Sequence, residues 1–325
     1  VKILFTSSLD TSFIREDLSI LSRHYEVHHL LTKGILAPVS ILLGAFRTEL
    51  TFTWFASVYS FFVVLSAKML AKKSIIVIGG ADASKEPTIN YGIWLSPWRS
   101  VLVGWAMRNA DKLLIVDPFF RDEIVRLAKY DGSNIEYVPT GYDAKAWHAG
   151  QGKERSILTV AVCHDEWRMK KKGIDLLLDS ARCLQELRFV VIGIAETLIS
   201  KVKSELPPNV QLLSAVPRTE LLQYYQRAKV YCQPSFTEGL PNSLCEAMLC
   251  ECIPVGTSVG GIPTAIDGVG NLVPYGSVDA LVSGITNAME MPEGAGASAR
   301  TRVIEHFTLA RREESLVKII QDLVS

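Results

Sequence analysis

Ser235-Phe236-Thr237-Glu238-Gly239-Leu240-Pro241-Asn242-Ser243-Leu244-Cys245-Glu246-Ala247-Met248 is the stretch on which the reading of this chain turns. It follows a short apolar run at 229–232 and opens a segment with helical spacing of apolar residues, which makes it a strand-to-helix junction. Pro241 suits the first turn of that helix. Such a junction offers free backbone N–H groups and the positive end of the helix dipole, a seat for an anion such as a pyrophosphate. Gly239 lets the backbone approach that anion closely. Glu238 lies ahead of the helix and Glu246 within its first two turns, so both carboxylates can serve one site and accept paired hydrogen bonds from vicinal sugar hydroxyls. Structural roles stay open for both. Ser243-x-x-Glu246 has the spacing of a capping box, and Glu238 is a favourable acid near a helix amino end.

The pattern outward from this junction is regular. Candidate strands fall at 2–5, 27–30, 51–55, 75–78, 113–116 and 135–138 in the first half. In the second half they fall at 157–162, 188–192, 210–213, 229–232, 253–255 and 271–273, with amphipathic segments such as 122–129, 174–184, 219–227 and 278–289 between strands. Strands separated by helix-length segments indicate βαβ units and parallel pairing. A chain of 325 residues exceeds what one core usually serves, so two doubly wound sheets are expected, with ligands beyond the carboxyl ends of their strands. The join falls within 140–152, where Pro139-Thr140-Gly141 and His148-Ala149-Gly150-Gln151-Gly152 read as turn and linker. The expected domains are 1–145, 146–307 and a closing helix at 308–325.

Charge and cysteine usage narrow the partners. The 34 Lys and Arg balance the 34 Asp and Glu, which argues against nucleic acid. All six cysteines lie in the second half without a framework spacing, as suits free thiols in a reducing compartment such as the cytoplasm. The apolar run at the amino end is too short for a signal peptide and reads as a strand. Residues 50–67 carry no charge over a length near that of a membrane span. Interrupting Ser, Thr and Tyr residues and the following Lys68, Lys72 and Lys73 favour a buried strand running into a core helix. Contact with the inner face of a membrane is the alternative.

Glu-x7-Glu in this setting resembles the signature of family 4 glycosyltransferases, retaining enzymes of the GT-B fold with two Rossmann-like domains facing a cleft. The resemblance extends to Lys172-Gly173-Ile174-Asp175, to Ala215-Val216-Pro217-Arg218 with Leu221-Leu222-Gln223-Tyr224-Tyr225, to Val259-Gly260-Gly261-Ile262-Pro263, and to Val138-Pro139-Thr140-Gly141-Tyr142-Asp143. It covers 156–273 closely and the first domain loosely. It implies transfer of a hexosyl unit from a nucleoside diphosphate sugar to an acceptor hydroxyl, without a cofactor or metal. The acceptor is a glycan, a lipid-linked molecule or a small molecule. In this resemblance Glu246 holds the ribose hydroxyls and Glu238 contacts the transferred hexose. Gly239, Leu240, Pro241 and Asn242 cover sugar and phosphate, Lys172 stabilises the departing diphosphate, and Val216 and Arg218 contact the base. The C-terminal helix crosses back to the first domain.

Three departures from the family pattern matter. The loop Thr6-Ser7-Ser8-Leu9-Asp10-Thr11-Ser12 has no glycine. Cys163-His164 stands where a Gly-Arg pair is usual, leaving Arg168 to serve the diphosphate from elsewhere in the loop. The first-domain histidine of many relatives is replaced by Ile78-Gly79-Gly80-Ala81-Asp82, where Asp82 can act on an acceptor hydroxyl or cap a turn. With these departures, the alternative function is an impaired nucleotide-sugar-binding subunit that acts with a partner. No Asp-x-Asp pair is present, and Cys245, Cys250 and Cys252 read as buried helix cysteines instead of metal ligands.

Overall fold

All twelve expected strands form, and every pairing between them is parallel. The computed structural model describes residues 1–325, which divide into two units, Val1–Gly141 with Leu309–Ser325, and Tyr142–Thr308.

The first unit comprises β1 (Lys2–Ser7), α1 (Ser12–His24), β2 (Glu26–Leu31), α2 (Ala37–Phe46), β3 (Leu50–Trp54), α3 (Val58–Met69), β4 (Lys73–Ile78), α4 (Pro97–Asn109), β5 (Lys112–Ile115), α5 (Phe119–Ala128) and β6 (Ile135–Tyr137). Its sheet order is β2-β1-β3-β4-β5-β6. Nearly every residue of β1, β3 and β4 is buried, as expected for strands covered on both faces. The uncharged stretch at 50–67 resolves into β3 and most of α3. Ser57 separates the two, its hydroxyl accepting from the amides of Tyr59 and Ser60 while Ser60 answers the Ser57 amide. No helix of the chain is long and apolar enough to cross a membrane. Helix α5 starts three residues before the apolar periodicity suggests, because the Asp117 carboxylate accepts from the Phe119 amide at 2.9 Å.

The C-terminal helix, Leu309–Val324, belongs to this unit. Its Arg312 is 2% exposed and donates to both oxygens of Asp17, at 3.0 and 2.6 Å, and to the carbonyls of Val138 and Pro139. Asp17 also accepts from the Trp54 indole at 2.9 Å.

The second unit comprises β7 (Glu154–Cys163), α6 (Glu166–Lys171), α7 (Ile174–Cys183), β8 (Arg188–Ile194), α8 (Glu196–Val202), β9 (Val210–Leu213), α9 (Arg218–Arg227), β10 (Ala228–Gln233), α10 (Asn242–Leu249), β11 (Ile253–Thr257), α11 (Ile262–Ile266), β12 (Asn271–Val273), α12 (Val278–Glu290) and α13 (Gly296–His306). Its sheet order, β12-β11-β10-β7-β8-β9, places the change of winding direction between β7 and β10. In a doubly wound sheet such a switch point is where ligands bind, beyond the carboxyl ends of the strands. All six cysteines are free thiols, and only Cys183 is exposed.

Candidate functional site

The loops that leave β7 and β10 carry the chemistry. From β7 the chain runs through α6 to Lys172 and Gly173, and from β10 it runs through Pro234 to Glu238. The two loops are tied backbone to backbone, the Phe236 amide donating to the Lys171 carbonyl at 2.8 Å. Gly173 makes that approach feasible. It has φ +66, and a Cβ there would lie 1.9 Å from the Pro234 carbonyl oxygen. Across the tie, the Lys172 ammonium reaches Glu238 Oε1 at 2.5 Å. The same oxygen accepts from the Ser235 hydroxyl at 2.8 Å and the Gln233 amide at 3.1 Å.

The glycine loop after β11 holds Glu238 from behind. Gly261 donates its amide to the Glu238 carbonyl, and a Cβ on Gly260 would sit 2.0 Å from that carbonyl oxygen. Burial alone would raise the Glu238 carboxyl. The charges of Lys172 and Lys171 and the bonds from Lys172 and Ser235 outweigh it and hold the carboxyl below its ordinary value. Burial brings Lys171 down to about 8, opposed by Glu238 and reinforced by Lys172 and Arg168.

Helix α10 begins four residues after Glu238. Pro241 is its N-cap instead of a first-turn residue, and no side chain caps this end. The capping box between Ser243 and Glu246 does not form. Ser243 lies inside the helix, with its hydroxyl 2.8 Å from the Tyr231 hydroxyl, while Glu246 Oε2 accepts from the Tyr225 hydroxyl at 3.3 Å. The first-turn amides therefore stay available to an anion. Burial pushes the Glu246 carboxyl up to about 7, against the opposing charge of Arg218 and the Tyr225 bond. The Arg218 guanidinium lies over the Trp147 ring, 4.8 Å from its centroid, and Trp147 packs edge-on against Tyr225.

The structure thus gathers Lys172 and Glu238 into one cluster, and Glu246 of α10 and Arg218 at the start of α9 into a second. Gly239 is half-buried and Leu240 buried between them. The Asn242 side chain accepts from the Tyr142 hydroxyl at 2.9 Å. Val216 is half-buried in the loop ahead of α9. Arg168 is exposed and ion-paired with Asp165, the N-cap of its own short helix, with its guanidinium 5.9 Å from the Trp167 ring centroid.

Asp82, in the first unit, is 2% exposed. Its carboxylate accepts from the backbone amides of Ala56 at 3.1 Å, Gly80 at 2.7 Å and Gly79 at 3.2 and 3.3 Å. Burial still pushes its carboxyl up to about 6. Three backbone amides thus hold this carboxylate in the loop after β4. Sequence reasoning missed Gln233, Ser235, Trp147 and the hydroxyl of Tyr225 as site members. A glutamine directly after the apolar run Val230-Tyr231-Cys232 was the available signal for the first.

Residues 154–291 match the family model described as glycosyl transferases group 1. Sucrose-phosphate synthase from Thermosynechococcus elongatus superposes with a TM-score of 0.80 at 14% identity, covering 99% of this chain and 98% of that one. Anabaena HepE in complex with UDP superposes with a TM-score of 0.78 at 13% identity, covering 99% of this chain and 100% of that one. The fold is GT-B.

Sequence relatives of this GT-B chain include the gpi3 subunit of phosphatidylinositol N-acetylglucosaminyltransferase from Schizosaccharomyces pombe, 26% identical over 51% of this chain and 38% of the relative. Alpha-maltose-1-phosphate synthase from Mycolicibacterium smegmatis is 26% identical over 69% of each chain. D-inositol 3-phosphate glycosyltransferase from Mycobacterium sp. strain JLS is 28% identical over 53% of this chain and 43% of the relative. The chain thus spans less than half the length of two of these three relatives, all of which are named as sugar-transfer or sugar-phosphate synthesis enzymes.

Proposed function

We propose that the chain is a retaining glycosyltransferase that moves a hexosyl unit from a nucleoside diphosphate sugar to an acceptor hydroxyl without a metal ion. The observation that carries this reading is the Lys172–Glu238 pair beside the uncapped amino end of α10. A diphosphate at that helix end would meet amide N–H groups and the ammonium of Lys172, with Lys171 adding positive charge. As the bond from the anomeric carbon to the phosphate breaks, its electron pair goes to the phosphate oxygen, and these groups stabilise the charge that develops. Glu238, held ionised by its lysines, faces the hexose. Glu246, with one protein partner, accepts from ribose hydroxyls, and Arg218 over Trp147 lies near the base with Val216. Gly239, Leu240, Pro241 and Asn242 cover the phosphates. Arg168 would join them by exchanging Asp165 for phosphate. Asp82 enters as the residue that holds the β4 loop, not as a base.

Incubation with uridine and guanosine diphosphate sugars and a panel of acceptors, followed by nucleotide release, tests the reading. Turnover is expected for at least one pair. Glu238→Gln is expected to lower it by about 100-fold or more, the scale on which a preorganised charged contact acts, while leaving the unfolding temperature nearly unchanged. A second reading, an impaired nucleotide-sugar-binding subunit acting with a partner, draws on the one relative named as a subunit and on the tie of Arg168 to Asp165. Nucleotide binding without turnover across the whole panel would favour it.

We further propose that the protein works in the cytoplasm, as its free thiols suit, in peripheral contact with an anionic membrane face. Helix α2 packs inward through Ala37, Ile41, Gly44 and Ala45, while Leu36, Val39, Leu43 and Phe46 stand exposed at intervals of three, four and three residues. Leu36 and Phe46 are each 72% exposed, and no charge intervenes between Lys33 and Arg47. Residues 31–108 hold eight Lys and Arg against three Asp and Glu, one of them the buried Asp82. An apolar stripe flanked by cations matches a bilayer surface with anionic headgroups. Sedimentation with phosphatidylglycerol vesicles but not phosphatidylcholine vesicles, and its loss in Phe46→Ser, is the expected result. Equal binding of Phe46→Ser would remove the assignment.

A further inference from the structure

Gln233 is the most completely bonded side chain of the site. It is the last residue of β10 and 1% exposed. Its amide nitrogen lies 2.8 Å from the Ser235 hydroxyl and 3.1 Å from Glu238 Oε1. Its amide oxygen lies 3.1 Å from the Tyr231 hydroxyl and 3.4 Å from the Ser243 hydroxyl. The orientation of the amide follows from chemistry. An ionised carboxylate only accepts, so the nitrogen must face Glu238, and the oxygen is left to the two hydroxyls.

Two consequences follow from this arrangement. Lys172, Ser235 and Gln233 all direct their donors to Oε1 of Glu238, which leaves Oε2 for a ligand. The other end of the same amide reaches Ser243, in the first turn of the helix that carries Glu246, and Tyr231, whose ring packs 5.9 Å from that of Tyr225, the partner of Glu246. One buried amide therefore connects the surroundings of both carboxylates.

We propose that Gln233 is a positioning residue, which fixes the Glu238 carboxylate with Oε1 turned toward Lys172 and ties that orientation to the entrance of α10. What Glu238 does in this orientation rests on the function proposed above; the orientation itself does not. An apolar side chain at 233 would remove one of the three donors from Glu238. A glutamate there would do more harm despite its nearly equal size, because it sets an acceptor against an acceptor at 3.1 Å.

The test compares wild type with Gln233→Leu, Gln233→Met and Gln233→Glu in the whole chain. The leucine and methionine variants are expected to lose about 30- to 100-fold in kcat, the scale of a misplaced reacting group, with the Kd for free nucleoside diphosphate within about threefold of wild type. The acid limb of the kcat profile is expected to move to higher pH, since Glu238 loses a donor that favours its ionised form. Gln233→Glu is expected to be the worst of the three. Wild-type kcat and acid limb in both apolar variants would overturn the proposal, as would a nucleotide Kd that weakens in parallel with kcat.

A carbon-13 carboxyl titration of Glu238 reads the same orientation without any turnover. An upward move in Gln233→Leu supports the proposal, and an unchanged titration overturns it. If the wild-type chain transfers no sugar but the titration moves, the functional reading fails and the role of Gln233 stands.

Discussion

Asp82 in the first unit and Glu238 in the second both sit in the loop beyond the carboxyl end of a strand, yet their surroundings have little in common. Asp82 is filled by backbone amides from two loops, those of Ala56, Gly79 and Gly80. One of these amides follows Phe55, which is held at φ 67, a conformation that bulky residues rarely adopt. Glu238 is held by side chains through one of its oxygens. The contrast extends to a second pair. Asp17 is 2% exposed and filled by Arg312 and Trp54, whereas Glu246 is half-buried with a single hydroxyl at 3.3 Å. A carboxylate accepts about four hydrogen bonds. Where the protein's donors reach both oxygens, as in Asp17 and Asp82, the group holds the fold, and where they reach only one, as in Glu238 and Glu246, the other oxygen has capacity for a ligand.

The largest effect expected from this contrast is on stability. Arg312→Ala leaves Asp17 charged and buried without its cation, and removes donors from the carbonyls of Val138 and Pro139. Breaking a buried pair in this way costs about 3–5 kcal/mol. Urea unfolding should report that loss, while the nucleotide binding proposed for the second unit should persist at low denaturant. A loss under about 1 kcal/mol, the scale of an exposed pair, would break the comparison.

Asp82 gives the next effect, with a defined sign. Its carboxyl stands at about 6 in the folded chain, against about 3.9 when unfolded. Between those values the folded state binds more protons, so stability falls as pH rises from about 4 to about 6 and stays at the lower level above it. The expected fall is about 3 kcal/mol. The difference between wild type and Asp82→Asn, measured by urea unfolding across that range, should contain this slope. A slope that persists unchanged in Asp82→Asn would show that it comes from another group and not from the burial of Asp82.

Most of this architecture was legible from local pattern. Parallel strands buried on both faces read as short apolar runs, and helices between them keep their own period, so all twelve strands could be placed. The junction at 235–248 was legible for the same reason, since strand, loop and helix each have their own composition. What the sequence hid is how a polar side chain distributes its bonds. Ser243 and Glu246 have capping-box spacing, but the helix begins at Asn242, and their hydroxyl and carboxylate turn to Tyr231 and Tyr225 instead. Asp82 after Gly79-Gly80 looked equally suited to a cleft or a turn, and only the positions of three amides distinguish the two. Gln233 is read correctly only when the ends of β10, the loop and α10 are seen together. These are contacts of tertiary structure, which spacing along the chain does not encode.

The smallest effect concerns Glu246 and tests the other side of the contrast. Burial raises its carboxyl to about 7, and Arg218 is the charge that opposes this. If Glu246 is the acceptor for ribose hydroxyls, its ionised form binds better, and that form grows from about a tenth at pH 6 to about nine tenths at pH 8. Nucleoside diphosphate affinity should then rise by about tenfold across this range relative to Glu246→Gln. The diphosphate titrates in the same window, but it does so equally with both proteins, so the ratio isolates the side chain. Arg218→Ala should displace the rise to higher pH, because the ionised carboxylate loses a favourable charge. Isothermal titration calorimetry at three or four pH values reads both. A ratio that stays flat would mean that Glu246, like Asp82, belongs to the fold and not to the ligand.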